Sequence, residues 1–486
     1  MNSMNTIEWN PWINGAWTQG NRRTTIKNPA TGAGLSEVGL VDAFQVGLAI
    51  DGAVAAQQRW RSRSPFERGE ILKRAAALLL ESRNDLARTL TMEQGKPLSQ
   101  ALGEVDYAAS FFQWFGEETR RVYGRIVPHP DASREFLVEH RPIGVAGLIT
   151  PWNFPLAQGA KKIAAALAAG CAAVWKPSEL TPLIALAMGP LMCEAGLPDG
   201  VLQIIPGFGP EIGEVFAKHH AVRVISVTGS TRTGRAVMAS ASEKIKRVSL
   251  ELGGNAPFIV LPDADLDSTA EQLVRLKLFV SGQVCVTANR VFVHRSIEAD
   301  FVARVAARLS LAKVGNGLSD GIDAGPLIHQ EACRHLAGKV SAAVANGATI
   351  VVENQSYRLD DDLQNGSFFP PTLVVDVDDG STLATEEIFG PVIPIMRYDD
   401  TQSMIDRANA TPYGLAAYVF GGDIDRCRAV ASRLEVGIVG INEWRPLKAE
   451  IPFGGVKQSG IGAEGGEEGL REFHSTHILS IPKPHL

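Results

Sequence analysis

The chain has 486 residues, enough for about three domains at roughly 150 residues each. With 45% hydrophobic and 21% charged residues, 48 Gly and 27 Pro, its make-up is globular and excludes the disordered, collagenous and disulfide-scaffold classes. A formal net charge of −6, with no Lys/Arg run, gives no electrostatic reason to bind nucleic acid or an anionic membrane.

The first residues, MNSMNTIEWNPWINGAW, lack the basic-then-apolar pattern of a secretory signal. Residues 64–93 read as one helix. Ser64 is its N-cap, Pro65 its first residue and Glu67 the partner in a capping box. Ile71, Leu72, Ala75, Leu79, Leu86 and Leu90 keep helical spacing until Gly95 and Pro97 stop it.

From about 143 to 250 short apolar runs recur at Val145–Ile149, Ala172–Trp175, Val201–Ile205, Val224–Val227 and Val248–Leu250. Stretches of helical length, such as Leu183–Ala195 and Thr233–Lys246, separate them. This alternation predicts βαβ units and a parallel sheet, with ligands beyond the carboxyl ends of the strands. A second alternating region runs from about 257 to 440, with strands near Pro257–Val260, Val291–His294, Thr349–Val352 and Leu415–Phe420. The glycine-dense stretch from Gly454 to Gly466 reads as a return between two α/β bodies. The longest apolar stretch, Ile163–Trp175, has 13 residues and is too short to span a bilayer.

Five cysteines, at 171, 193, 285, 333 and 427, are far apart, odd in number and free of any CxxC pair. That argues against a disulfide framework or a zinc site and for a reducing, cytoplasmic location. No HExxH or GxSxG motif is present, and Arg235 with Ala236 spoils a Walker reading of Gly229–Gly234. Gly207, Gly209 and Gly213 fit either a dinucleotide loop or a turn that needs positive φ.

Three residues carry possible chemistry. Cys285 lies in SGQVCVTANR, where Gly282, Gln283, Thr287 and Asn289 are odd company for a core cysteine but suit a thiol that meets a ligand. Glu251, in SLELGGNAP, is either a general base at a strand end or a solvated capping glutamate. Asn153, between the prolines of ITPWNFPL, is either an oxyanion donor or a turn asparagine.

Taken together, ITPWNFPL (149–156), WKPSEL (175–180), VTGSTRTG (227–234), LELGGNAP (250–257), SGQVCVTANR (281–290), EEIFGPV (386–392) and PFGGVKQSG (452–460) resemble the aldehyde dehydrogenase superfamily. The match spans nearly the whole chain, and Glu251 precedes Cys285 by the family's interval of 34 residues. The resemblance implies an α/β fold with three bodies. They are a Rossmann-like cofactor domain (1–118 and 141–250), an α/β catalytic domain (251–440) and a small β oligomerisation flap (119–140 and 468–486). Residues 441–467 would return near the substrate tunnel, and the flap would make a homodimer or homotetramer.

By the same resemblance Cys285 would attack a small-molecule aldehyde, and Asn153 with the Cys285 backbone N–H would hold the oxyanion. Glu251 would activate the water that hydrolyses the thioester, and no metal is involved. Lys176 and Glu179 would meet the adenosine ribose, Gly229 and Ser230 the pyrophosphate, and Glu387 with Phe389 the nicotinamide end. Thr150, Pro151, Trp152, Asn153, Ser178, Gly209 and Leu252 would complete the coenzyme site. A carboxylate at Glu179 accepts bonds from ribose hydroxyls and repels a 2′-phosphate, which favours NAD over NADP.

The succinate-semialdehyde subgroup looks nearest, through WFGEETRRVYGRIVP (114–128), SLELGGNAPFIV (249–260) and GIVGINE (437–443). Two departures stand out. Phe279 replaces the arginine that the subgroup has six residues before the nucleophile, and Lys161 replaces a second arginine. One reading lets Lys161, Arg445 or Lys448 rebuild an anion site for a semialdehyde acid. The other has Phe154, Phe279, Trp444 and Leu447, with Val284, line an apolar tunnel for neutral aromatic or aliphatic aldehydes. A CoA-acylating enzyme normally lacks a glutamate at the position of Glu251, and a non-catalytic binding protein would have lost Cys285 or Glu251.

Overall fold

The computed structural model describes residues 8–356 and 363–483. Residues 1–7 of the expected cofactor domain and 484–486 of the expected flap lie outside the described residues. An eight-stranded sheet has five parallel strands at its centre, in the order Leu202–Ile204, Ala172–Lys176, Val145–Ile149, Val222–Thr228 and Arg247–Glu251. A seven-stranded sheet places Ala256–Val260 beside Ala288–His294 and Ala416–Phe420, all parallel. A separate antiparallel sheet joins His474–Pro482, Arg134–Pro142 and Arg125–Pro128.

Local sequence explains most of these elements. Ser64 and Glu67 close the expected capping box, and Gly95 ends the run in the left-handed region at φ 95°. The expected single helix over 64–93 is nevertheless two, Pro65–Glu81 and Arg83–Gln94. Ser82 sits between them at φ −92°, ψ 10°, and gives the second helix no side-chain cap. Periodicity cannot detect such a one-residue break, because the apolar positions stay in phase across it. The strands Thr372–Val375 and Val392–Tyr398 were not legible either, since the first has four residues directly after Pro370 and Pro371 and the second carries Pro394 inside it.

The stretch 441–467 does more than return. Gly460–Ile461 pairs antiparallel with Arg247–Glu251 and becomes the edge strand of the first sheet. The helix Pro155–Ala168 is buried at every position. Its Lys161 and Lys162 therefore need a buried counter-charge. Among the described residues no helix is long and apolar enough to cross a membrane.

Candidate active site

The segment before Cys285 is held in an unusual backbone. Val280, Ser281 and Gly282 follow one another at φ 49°, 53° and 72°, a left-handed run that costs energy at the two non-glycine residues. Hydrogen bonds hold it in place. Val280 N–H donates to Gln100 Oε1 (2.8 Å), Ser281 Oγ to Gly325 O (2.8 Å) and Ile328 N–H to Gln283 Oε1 (2.9 Å). Gly282 has no substitute here, because a Cβ would lie 2.2 Å from the carbonyl oxygen of Gly390. The turn aims Cys285 into a cavity with about 660 Å³ of open space, its mouth included.

Phe154, Phe279, Val284, Trp444 and Leu447 line that cavity, together with Lys161 and Arg445. The rings form a chain, with Phe154 to Phe279 at 5.6 Å and Phe279 to Trp444 at 5.8 Å between centroids. Lys448 departs from expectation. It is exposed and takes no part in the wall, because the loop turns it to solvent while Arg445 and Leu447 face inward. Tyr107, Gln158 and Phe453 also line the cavity, and of these only Phe453 lies in a motif marked in the sequence, PFGGVKQSG.

The two inward cations differ. Lys161 forms a buried ion pair with Glu464 and sits 4.2 Å from the centre of the Phe453 ring. Arg445 has its guanidinium 4.8 Å above Phe279 and makes no ion pair among the described residues. Phe279, Trp444 and Arg445 also border an outer hollow, so Arg445 stands between that hollow and the chamber of Cys285.

Asn153 and Glu251 flank this chamber without lining it. Asn153 follows the strand Val145–Ile149, and its side-chain amide donates to Gln283 O at 2.9 Å, two residues from the thiol. Glu251 ends the strand Arg247–Glu251, is 2% exposed, and has no hydrogen-bond partner on either carboxylate oxygen among the described residues. Glu464, which the sequence did not single out, pairs with Lys161 and Lys162 and accepts from Thr228 Oγ1 at 3.1 Å. Two lysines inside an Ala-rich apolar helix were the available sign that such a carboxylate exists.

These charges set the protonation. Burial opposes ionisation of Glu464, yet its two lysines outweigh that and hold it below the carboxylate range. Burial, reinforced by the charge of Glu464, raises Glu251 well above that range despite the same lysines. The Cys285 thiol is pushed up to about 12 by burial and then by Glu387, with Lys161 opposing.

Segments that could hold a dinucleotide come together beyond the carboxyl ends of the first sheet. Thr150–Trp152, Lys176–Glu179 and Gly229–Ser230 follow neighbouring strands and so converge. Trp175 Nε1 donates to Thr150 Oγ1 (2.9 Å), and Lys176 Nζ pairs with the half-exposed Glu179 (2.7 Å). Ser178 Oγ accepts from Leu180 N–H at 3.2 Å. Ser230 caps the helix Thr231–Ser242, so free N–H groups and the positive helix end face the open Gly229–Ser230 turn. Leu252 fills the space beside Gly234, where a Cβ would lie 2.6 Å from its side chain.

None of Gly207, Gly209 and Gly213 has positive φ, so the turn reading fails. Gly209 instead opens the helix Gly209–Lys218, and its Cβ position lies 3.9 Å from Lys176 Nζ. On the facing side Glu387 accepts from Gly254 N–H (3.2 Å), and Phe389, at φ 51°, packs edge-on against Trp152 with ring centroids 5.6 Å apart. Burial lifts Glu387 to about 7 against the pull of Gly254 N–H and Lys339. An open helix terminus, a half-exposed carboxylate and a facing aromatic ring fit a nicotinamide dinucleotide.

Comparison with known proteins places the chain in a family. The pattern of the aldehyde dehydrogenase family matches residues 17–479. A probable succinate-semialdehyde dehydrogenase [NADP(+)] of Sinorhizobium fredii is 45% identical over 461 residues, covering 95% of this chain and 93% of its own. A glutarate-semialdehyde dehydrogenase of Pseudomonas aeruginosa is 42% identical and covers 97% of each chain. The crystal structure of succinate-semialdehyde dehydrogenase from Burkholderia pseudomallei superposes with a TM-score of 0.96 at 41% identity, over 99% of this chain and 100% of the other. This chain belongs to the aldehyde dehydrogenase family.

Proposed function

We propose that this enzyme oxidises a semialdehyde acid, an aldehyde with a carboxylate at its far end, to the diacid, with NAD as the preferred coenzyme. The observation that carries the substrate is Arg445. It is a cation without an acidic partner among the described residues, placed where the apolar cavity of Cys285 opens outward. A substrate with its aldehyde at the thiol and its carboxylate at Arg445 would supply the missing counter-charge. Apolar walls would pack its carbon chain.

In this mechanism the Cys285 thiol gives up its proton to solvent water as Sγ adds to the aldehyde carbon, and the C=O π pair moves onto the oxygen. The free N–H of the Asn153 amide and the Cys285 backbone N–H take the resulting oxyanion. Thr150–Trp152, Lys176, Glu179, Gly229, Ser230, Glu387 and Phe389 would hold the coenzyme, which when bound supplies the hydride acceptor and leaves the cysteine adduct as a thioester. Glu251, deprotonated, draws a proton from water as that water attacks the thioester carbon, and the acid leaves as the thiol re-forms. Glu251 speaks for water as acceptor over CoA.

Glu179 supports NAD, because its carboxylate at the end of the strand Ala172–Lys176 would repel a 2′-phosphate. The Sinorhizobium relative is named for NADP(+), so both coenzymes belong in the test. The small antiparallel sheet supports a homodimer or homotetramer, and five free cysteines suit the cytoplasm.

The test is reduced-coenzyme formation from succinate semialdehyde, glutarate semialdehyde, hexanal and benzaldehyde, with NAD and with NADP. We expect the acids to lead in kcat/KM by more than about tenfold, which is roughly 1.4 kcal/mol of discrimination. Arg445→Met removes that lead and leaves hexanal within about twofold, and Cys285→Ala removes activity on all four. A lead for the neutral aldehydes in the wild type would overturn the substrate assignment. A higher kcat/KM with NADP would overturn the coenzyme assignment.

A further inference from the structure

Asn153 is reached from two sides. Its side-chain amide is tied to Gln283 O near the thiol, and its backbone carbonyl accepts from Lys96 Nζ at 2.7 Å. Lys96 is 1% exposed and pairs with Glu104, which is equally buried. The other oxygen of Glu104 takes the N–H groups of Leu156 and Ala157, at 3.0 and 3.1 Å, in the first turn of the helix that follows Asn153. Neither Lys96 nor Glu104 lines the cavity of Cys285.

The segment that carries Lys96 is also tied to the nucleophile's half of the molecule. Leu98 N–H donates to Gly317 O at 2.8 Å. Gly317 and Gly325 pack so closely that a Cβ would lie 2.5 Å from Lys96 O and 2.0 Å from Gly95 O. Gly325 O in turn holds Ser281, and Gln100 holds Val280, both in the strained turn before Cys285. The residues from Gly95 to Gln100 thus touch the main chain of Asn153 and the turn that leads to Cys285, two segments that adjoin different sheets.

We infer that Lys96 and Glu104 form a positioning clamp that sets the Asn153 amide relative to the Cys285 backbone N–H. The inference rests on the reading of Asn153 as an oxyanion donor. An oxyanion site tolerates little error, and a misplacement of about 1 Å costs on the order of a hundredfold in rate. Lys96 supplies the fixed donor, and Glu104 makes its buried charge tenable while pinning the adjoining helix terminus. Both residues act through Asn153 and touch no reacting atom.

The test uses the full-length enzyme and two reactions of the same thiol. Single-turnover NADH formation from glutarate semialdehyde needs the oxyanion site. Alkylation of Cys285 by iodoacetamide is displacement at a saturated carbon and needs none. Lys96→Met should slow the first by about tenfold or more and leave the second within about twofold. Lys96→Arg, which keeps the charge, should recover part of the loss.

In an Asn153→Ala background Lys96→Met should add less than about threefold, because the clamp has nothing left to position. The same tenfold loss in that background, or a matching fall in alkylation, would overturn the clamp. If Asn153→Ala alone leaves single-turnover rates unchanged, the oxyanion reading falls and the clamp with it. Should Lys96→Met fail to fold, Glu104→Gln keeps the volume and faces the same two criteria.

Discussion

The proposed coenzyme cleft and the substrate cavity meet at Cys285 but are made differently. The cleft is mostly main chain. Strand ends at Ile149, Lys176 and Thr228 bring three short segments together, and a capped helix terminus offers N–H groups. The cavity is mostly side chain, assembled from residues as distant as Tyr107, Phe154, Phe279 and Trp444. Main-chain sites follow from topology and change little when one side chain changes. Side-chain sites can be rebuilt by a few loop residues, as Arg445 opposite Phe279 illustrates.

If that contrast holds, changes around the buried charges beside the cavity have large effects, and changes in the cleft have small ones. The largest expected effect is at Glu251. Glu251→Gln should cut steady-state turnover by about a hundredfold or more while the first NADH burst survives, since only thioester hydrolysis needs the base. Rapid-mixing absorbance would check this. In the wild type, hydrolysis should fall as pH drops through the raised value of Glu251, so its acid limb lies above the ordinary carboxylate range. A limb near pH 4.5 would break the assignment of the base.

Next is Glu464, which compensates two buried lysines. Glu464→Gln should cost about 3–5 kcal/mol of stability, read as a lower midpoint in urea unfolding at pH 7. The sign with pH follows from its depressed folded-state value. Its contribution is full above the unfolded carboxylate range and is lost as pH falls through the lower folded value. The difference between variant and wild type should therefore shrink in acid. A difference that stays constant down to pH 3 would remove the ion pairs as its cause.

The smallest effect belongs to the cleft. Glu387 is the leading charge that keeps Cys285 protonated. Glu387→Gln should raise the alkylation rate of Cys285 at pH 8.5 by about threefold, through a larger thiolate fraction. An unchanged or lower rate would show that burial alone controls the thiol. A change above about thirtyfold would blur the contrast between cleft and cavity.

Much of this was legible because it is local. The alternation of short apolar runs with helical stretches marked the parallel strands of the first sheet, and seven motifs in order marked the family. What escaped either left the local pattern unchanged or depended on the packing. The break at Ser82 leaves the apolar phase intact, and Pro394 hides a buried strand. Lys448 and Arg445 are three residues apart in one loop, and charge alone could not say which turns inward.

The sequence by itself determined most of the elements and the family, and it singled out Cys285, Asn153 and Glu251 as candidates, because each depends on residue type at short spacing. Only the tertiary structure decided the partners: Glu464 for Lys161 and Lys162, Lys96 for Asn153, and, among the described residues, no acid for Arg445. A buried charge takes whichever counter-charge the packing brings within a few ångströms. Lys162 and Glu464, 302 residues apart in the chain, meet only once the first sheet has taken on Gly460–Ile461 as its edge strand.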